Sequence, residues 1–290
     1  MSRIVVLGDL NLDVLVHLPK SLPRGEEERT PVRASPGGSA GTFARLAARQ
    51  GADVLFVGAV GEDVVGDALV QSLRSAGVTA HVKRAKLPTG TVVSLWGKDE
   101  RTMLCSRGAN DGLDKAWVDG VSFAGADHLH LSGYAVLSDA QRAAARTAMA
   151  RARAGGITSS LSVPPASLLR DYGPPRFLED VAESDWLLLN LKEGRVLTGR
   201  RKPESVVDAL ASSPPAGALT LGAEGSLAWR GGERSRRTAR PLDLVDTTGA
   251  GDAFAAGFVV ALLDGRTLDQ ANSTGSSLAE RALLERVSPH

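Results

Sequence analysis

The residues with the plainest chemical potential lie in Asp246-Thr-Thr-Gly-Ala-Gly-Asp-Ala-Phe254, just ahead of the apolar run AAGFVVALLDG. Gly249 and Gly251 stand where a strand is expected to hand over to a helix. Lacking Cβ atoms, they let successive backbone N–H groups converge on one point, and the helix N-terminus adds unsatisfied N–H groups and partial positive charge. Such a turn suits a phosphate. Asp252 at its rim would repel that phosphate unless the carboxylate has its own task, such as accepting a proton from an attacking hydroxyl. A plain glycine turn with Asp252 as helix cap explains the same residues.

Three further polar turns follow expected strands. Asn11 and Asp13 come just after RIVVL, where an amide and a short carboxylate can grip vicinal hydroxyls or simply serve loop chemistry. Asn190-Leu-Lys-Glu193 follows Trp186–Leu189, and a carboxylate there could act on a triphosphate through Mg²⁺; the same spacing also spells a helix capping box. Thr220-Leu-Gly-Ala-Glu-Gly225 adds a glycine turn compatible with a phosphate or a purine edge. Gly37-Gly38-Ser39-Ala40-Gly41 matches the nucleophile elbow of serine hydrolases. Its lead-in TPVRASP is polar and closed by Pro36, and His128 and His130 have no evident orienting carboxylate, so backbone approach to a polar ligand is the better reading. No Walker G-x-x-x-x-G-K-[ST] occurs, and Phe254 stands where a dinucleotide fingerprint needs its third glycine.

The elements that must position these turns are short apolar runs alternating with amphipathic helices: Arg3–Leu7, Asp53–Val60, Asp127–Leu131, Ile157–Val163, Trp186–Leu189 and Ala218–Leu221, with helices over Ser39–Gln50 and Asp139–Ala154. That alternation predicts a mostly parallel sheet covered on both faces, with the polar turns gathered at the C-terminal strand ends. Residues 12–35 and 79–106 break the pattern and read as one small antiparallel sheet; the basic run 231–240 reads as a solvated hairpin loop. The 290 residues carry 34 Lys+Arg against 33 Asp+Glu, which leaves no basic excess for nucleic acid or an anionic membrane. One cysteine, Cys105, excludes an internal disulfide and suits a reducing cytoplasmic setting. Neither a secretory leader nor a run long enough to span a bilayer is expected.

GGSAGTFARLAARQGADVLFVGAVGEDVVGDAL (37–69) and DTTGAGDAFAAGF (246–258) resemble the two signature regions of the PfkB/ribokinase family of carbohydrate kinases. GDLNLDV, TGTVV, RGAN and NLKEGRVLTG are similar in kind and order. The resemblance implies a three-layer α/β/α sandwich, ribokinase-like, with a mostly parallel central sheet and a small β lid formed by 12–35 and 79–106. It implies ATP-dependent phosphorylation of a hydroxymethyl group on a sugar, whether ribose-, fructose- or keto-deoxy-sugar-like; a nucleoside acceptor is the alternative within the class, and a catalytically silent sugar-binding protein the alternative outside it. Asp252 would then be the base and Gly249, Ala250 and Gly251 the anion hole. Asn11, Asp13, Gly37 and Gly38 would hold the acceptor, with Thr42 where many members carry asparagine and Arg107 beside the lid. Asn190, Thr220, Gly222, Gly225 and Asn272 would line the nucleotide site, and Glu193 would reach Mg²⁺ through water. Asp246 and Thr248 fall where many members bind a monovalent cation such as K⁺. The resemblance implies a homodimer formed through the lid, as in many relatives.

Overall fold

In β1 (Arg3–Leu7), Ile4 and Val6 face one side and Val5 and Leu7 the other, and all four are fully buried. A strand buried on both faces requires a helical layer on each side, and the computed structural model has that arrangement. It describes residues 1–19, 25, 27–97, 101–211, 216–240 and 248–287. Asp246 and most of the turn at 97–100 lie outside the described residues.

The chain leaves β1 for β2 (Asn11–His17) and β3 (Val32–Gly37), then runs through α1 (Ser39–Arg49), β4 (Asp53–Gly61), α2 (Val64–Ser75) and β5 (Thr79–Ala85). Next come β6 (Thr91–Trp96), β7 (Arg101–Ser106), α3 (Lys115–Asp119), β8 (His128–Ser132), α4 (Tyr134–Leu137), α5 (Asp139–Ala154) and β9 (Thr158–Ser162). The last stretch is α6 (Ala166–Tyr172), α7 (Pro174–Asp180), β10 (Trp186–Asn190), α8 (Leu191–Thr198), α9 (Pro203–Leu210), β11 (Ala216–Thr220), β12 (Ser226–Arg230), β13 (Glu233–Arg237), α10 (Ala250–Leu263) and α11 (Leu268–Val287).

Nine strands form the main sheet in the order β13-β12-β11-β10-β9-β8-β1-β4-β5. Every pairing from β5 through β11 is parallel, and β12 and β13 close one edge antiparallel. One core joins Val5, Leu7, Leu129 and Leu131 to α3 and to α5–α9; the other joins Ile4, Val6 and Phe56 to α1, α2, α10 and α11. Because the central strands run the same way, β1, β10 and β11 deliver the residues that follow them to one rim, where open α/β sheets bind ligands.

The small sheet has the order β3-β2-β6-β7, with antiparallel outer pairs and a parallel β2–β6 pair at its centre. Thr79–Ala85, expected in this sheet, instead pairs in parallel with β4 at the edge of the main one. Its alternation reflects a half-exposed edge strand, which periodicity cannot distinguish from a strand of an antiparallel sheet. The basic run 231–240, expected as a solvated hairpin loop, instead contains strand β13. Only a tight turn at Gly231–Gly232 precedes β13, whose exposed arginines occupy a sheet edge, a placement that discourages edge-to-edge pairing.

His128 and His130 sit in the core of β8 and bond to hydroxyls of Thr158, Ser160 and Ser162. Burial lowers the His128 pKa to about 3 and holds His130 well below its usual value, so both rings are neutral. His130 stacks on Phe43 with ring centroids 3.6 Å apart. Both histidines serve packing between sheet and helix.

Candidate active site

Gly249 takes a left-handed conformation (φ 77°) at the N-cap of α10, a region that favours glycine. Ala250 opens the helix, and a Cβ added at Gly251 would meet open space, so the first turn of α10 presents bare backbone to the rim. Asp252 falls within that first turn. It is not the helix cap: that position belongs to Gly249, and the Asp252 carboxylate instead accepts a hydrogen bond from Ser39 Oγ, 2.6 Å away on α1. Burial raises the Asp252 pKa to about 7; the Ser39 bond and Arg45 oppose the rise, while Asp9 and Asp13 add to it.

The loop after β1 is held by a chain of side chains. Asp9, 2% exposed, accepts from the Ser39 backbone N–H at 2.9 Å and from Asn11 Nδ2 at 3.3 Å, both on Oδ2. Asn11 Oδ1 accepts from Asn110 Nδ2 at 2.7 Å, and Asn110 Oδ1 accepts from the Leu10 N–H at 2.9 Å. A Cβ at Gly90 would lie 2.2 Å from Asn110 Nδ2 and 2.3 Å from Asn11 Oδ1, so only glycine fits. The Asn11 amide is therefore largely engaged within the protein, whereas the expected pair was Asn11 with Asp13.

Asp13 lies on β2 opposite Ser35, and a Cβ at Gly37 would be 2.1 Å from its Cγ. Gly38 (φ 84°) has the same kind of constraint, since its Cβ would approach Asp9 O to 2.5 Å. These glycines let the β3–α1 turn close over the two aspartates. Thr42 Oγ1 accepts from Arg45 Nη2, which also donates to Pro36 O. Arg107 donates to Asp111 at 2.8 Å and to Gln141, and its guanidinium lies 5.5 Å from the centroid of the Tyr134 ring. Tyr134 is pushed well above the usual phenol range by burial, with Asp9 and Asp252 adding to the effect.

Across the rim, Asn190 and Thr220 are register neighbours at the ends of β10 and β11. Asn190 and Glu193 form the reciprocal capping box: Asn190 N–H and Nδ2 donate to the two Glu193 oxygens at 2.8 and 2.7 Å, and Glu193 N–H donates back to Asn190 Oδ1 at 3.0 Å. Burial raises Glu193 to about 8, opposed by the Asn190 bonds and reinforced by the charge of Asp252. Gly222 (φ 64°) has open space beside it, but Gly225 serves the hairpin, because a Cβ there would sit 1.9 Å from Arg237 O.

Asn272 does not reach the rim. It is fully buried, accepts from Ser226 Oγ at 2.6 Å and donates to Ser235 O and Oγ at 3.1 Å, bolting α11 to β12 and β13. Thr248 Oγ1 accepts from Arg101 of β7, whose guanidinium also packs 5.6 Å over Trp96. A fixed positive charge there competes with a monovalent cation at that hydroxyl. No group of three or more potential ligands for a directly held metal occurs among the described residues.

The charge of Asp252 interacts with groups on both sides of the rim. Asp9, Asp13 and Arg45 influence it from one side, and it influences Glu193 on the other. The sequence pattern singles out Ser39 only through the nucleophile-elbow match and gives no sign of Asp9, whose contacts are with Ser39 and Asn11. The match at Gly37–Gly41 marked the right turn for the wrong chemistry. Arg101 connects the small sheet to the loop before α10.

The α10 N-terminus opened by Gly249 thus lies beside a buried Asp252 carboxylate bonded to Ser39 at the β3–α1 junction. The family model for pfkB family carbohydrate kinases matches residues 1–286, and the chain belongs to that family, whose enzymes transfer phosphate from ATP. It is 32% identical to an ATP-dependent ribose-1-phosphate kinase of Halopiger xanaduensis, with 97% of this chain and 93% of the relative aligned. It is 27% identical to a ribokinase of Bacillus subtilis over 93% of this chain and 89% of the relative. Among solved structures, an adenosine kinase from Sinorhizobium meliloti superposes with a TM-score of 0.87 at 26% identity, covering 97% and 93% of the two chains.

Proposed function

We propose that this chain transfers the γ-phosphoryl group of ATP to a hydroxymethyl group of a ribose-, fructose- or keto-deoxy-sugar-like acceptor, with Asp252 as general base. The observation that carries this reading is the placement of Asp252 in the first turn of α10, bonded at 2.6 Å to Oγ of Ser39, beside the glycines that close over Asp9 and Asp13. Asp13, framed by Gly37 and Gly38, binds acceptor hydroxyls. Asn11 sets the loop beneath them. Thr42 and Arg107 border the acceptor. The N–H groups of Gly249, Ala250 and Gly251 receive the transferred phosphoryl group, and Thr220 and Gly222 border the nucleotide. The capping box occupies both Glu193 oxygens with Asn190 donors, which fits a Mg²⁺ carried by ATP phosphates and met through water better than one gripped directly. The metal supplies charge neutralisation to the phosphates; the chain's own residues align the acceptor and remove its proton.

The order of events follows from these positions. The acceptor hydroxyl approaches the γ-phosphorus as its proton passes to Asp252, and backbone N–H groups at the start of α10 meet the charge on the phosphoryl oxygens. Asp252→Asn lowers kcat by roughly 10³-fold or more and leaves the acceptor KM within a few-fold. Unchanged turnover would sink the base assignment. A coupled ADP-release screen over pentoses, hexoses, sugar acids and nucleosides identifies the acceptor. The likeness to the adenosine kinase supports a nucleoside as the second reading, and the same screen separates the two.

A further inference from the structure

Ser39 opens α1 with two polar contacts of different kinds. Its backbone N–H donates to Asp9 Oδ2 at 2.9 Å, a bond that any residue could make at this position. Its hydroxyl crosses to α10 and donates to Asp252 Oδ1 at 2.6 Å. The hydroxyl is not what seats α1, because Ala40, Phe43, Ala44 and Ala47 are fully buried on that helix, which packs against α10. A side chain with one hydroxyl, fixed by its own backbone and aimed at one oxygen of one carboxylate, has a directional task.

We propose that Ser39 is the positioning residue of the Asp252 carboxylate, holding Oδ1 so that Oδ2 faces the acceptor hydroxyl. The inference rests on Asp252 being the base. The terminal torsion of an aspartate is broad and roughly two-fold, so an unrestrained carboxylate samples orientations that present neither oxygen in line. A short hydrogen bond to an ionised oxygen removes that freedom. During transfer the acceptor O–H bond breaks, its proton moves to Oδ2, and its oxygen forms the new bond to phosphorus as the bond to ADP breaks. Ser39 keeps its own proton throughout. The hydroxyl also stabilises the ionised form that the base must have before each turnover.

The charged or titratable groups that act on Asp252 from neighbouring elements are Asp9 after β1, Asp13 on β2, Arg45 on α1, Tyr134 on α4 and Glu193 on α8. All of them remain in a Ser39 variant, so a change in pH dependence reports the lost hydroxyl.

The test compares pH profiles of kcat and kcat/KM for the full chain and for Ser39→Ala, Ser39→Cys and Ser39→Thr, with ATP saturating and the acceptor that the screen identifies. Ser39→Ala is expected to lower kcat about ten-fold at pH 7, leave the acceptor KM within about two-fold, and move the acidic limb of kcat/KM to higher pH. Ser39→Cys, a weak donor of similar size, follows Ser39→Ala and carries the test if the alanine variant does not fold. Ser39→Thr keeps a hydroxyl and restores the limb. A limb that stays in place in both the alanine and cysteine variants overturns the proposal, as does a loss uniform in pH that tracks a fall in Tm. Asp252→Asn run in parallel separates the two readings. Full activity there removes the base and this proposal together, whereas an inactive Asp252→Asn beside an unshifted Ser39→Ala removes only the role of Ser39.

Discussion

Asp252 works against its surroundings: burial and two neighbouring aspartates favour the neutral acid, yet a base must be ionised. With its pKa raised to about 7, kcat/KM for the acceptor should rise with pH through an acidic limb near 7 and flatten above it; a rate profile from pH 5 to 9 checks this. The same shift has a stability consequence of opposite sense. The unfolded chain ionises this carboxyl near 3.8 and the folded chain near 7, so between those values the folded protein binds more protons and loses stability as pH rises. Asp252→Asn removes that cost. The variant should melt at a higher temperature than the parent at pH 8, with the difference shrinking toward pH 4, as thermal unfolding at several pH values would record. Gly37 gives a second prediction at this scale. Because a Cβ there would overlap the Asp13 carboxyl at 2.1–2.2 Å, Gly37→Ala displaces Asp13 and should raise the acceptor KM about ten-fold or more while the ATP KM changes little.

Asn272 of α11 bonds to both strands of the β12–β13 hairpin, beside Ser276 on Ser226 and Asp269 on Ser235, so Asn272→Ala removes three hydrogen bonds from the core while those two hydroxyls keep their second partners. It should cost about 2–3 kcal/mol of stability by denaturant unfolding and leave the ATP KM within about two-fold; a large rise in that KM without loss of stability would return Asn272 to the nucleotide site. Elements were legible where hydrophobic periodicity was strong. Asp139–Ala154 has the predicted bounds, Ser39–Gln50 ends one residue early at Arg49, and the β1 and β10 runs lie where apolar clusters placed them. Thr79–Ala85 was misplaced because half-burial looks alike in an edge strand and in a small sheet. The turns at Gly249 and Gly37 announced themselves by glycine. Asp9, Ser39 and Asn110 did not, because their importance lies in contacts with residues 30 to 213 positions away, which no local pattern encodes.

At the scale of the whole molecule, the register of the small sheet gives it a mixed face and an apolar one. Asp13, Leu15, Val92, Ser94, Trp96, Arg101, Met103 and Cys105 alternate onto one face, the side toward the site, since a Cβ at Gly37 on that face meets Asp13 and Arg101 reaches Thr248. The opposite face carries Val32 and Ala34 of β3, Val14 and Val16 of β2, Val93 and Leu95 of β6, and Leu104 of β7, aligned in cross-strand rows. None of these is buried; Val32 and Leu104 are each 57% exposed. A contiguous apolar face of this kind suits an interaction surface, and we propose a second copy of the chain, related by a two-fold axis, as its partner. Pairing of these faces in a homodimer, with each small sheet acting as a lid, would bury them and hold the Asp13 faces toward the two sites. Val93→Glu together with Leu104→Glu places charge at the middle of the face without touching the Asp13 side. Light scattering should give the mass of two chains for the parent and of one chain for the double variant, and the monomer should show a higher acceptor KM because the lid loses its support. A parent with the mass of one chain at micromolar concentration would refute the pairing and leave the assignment of the site untouched.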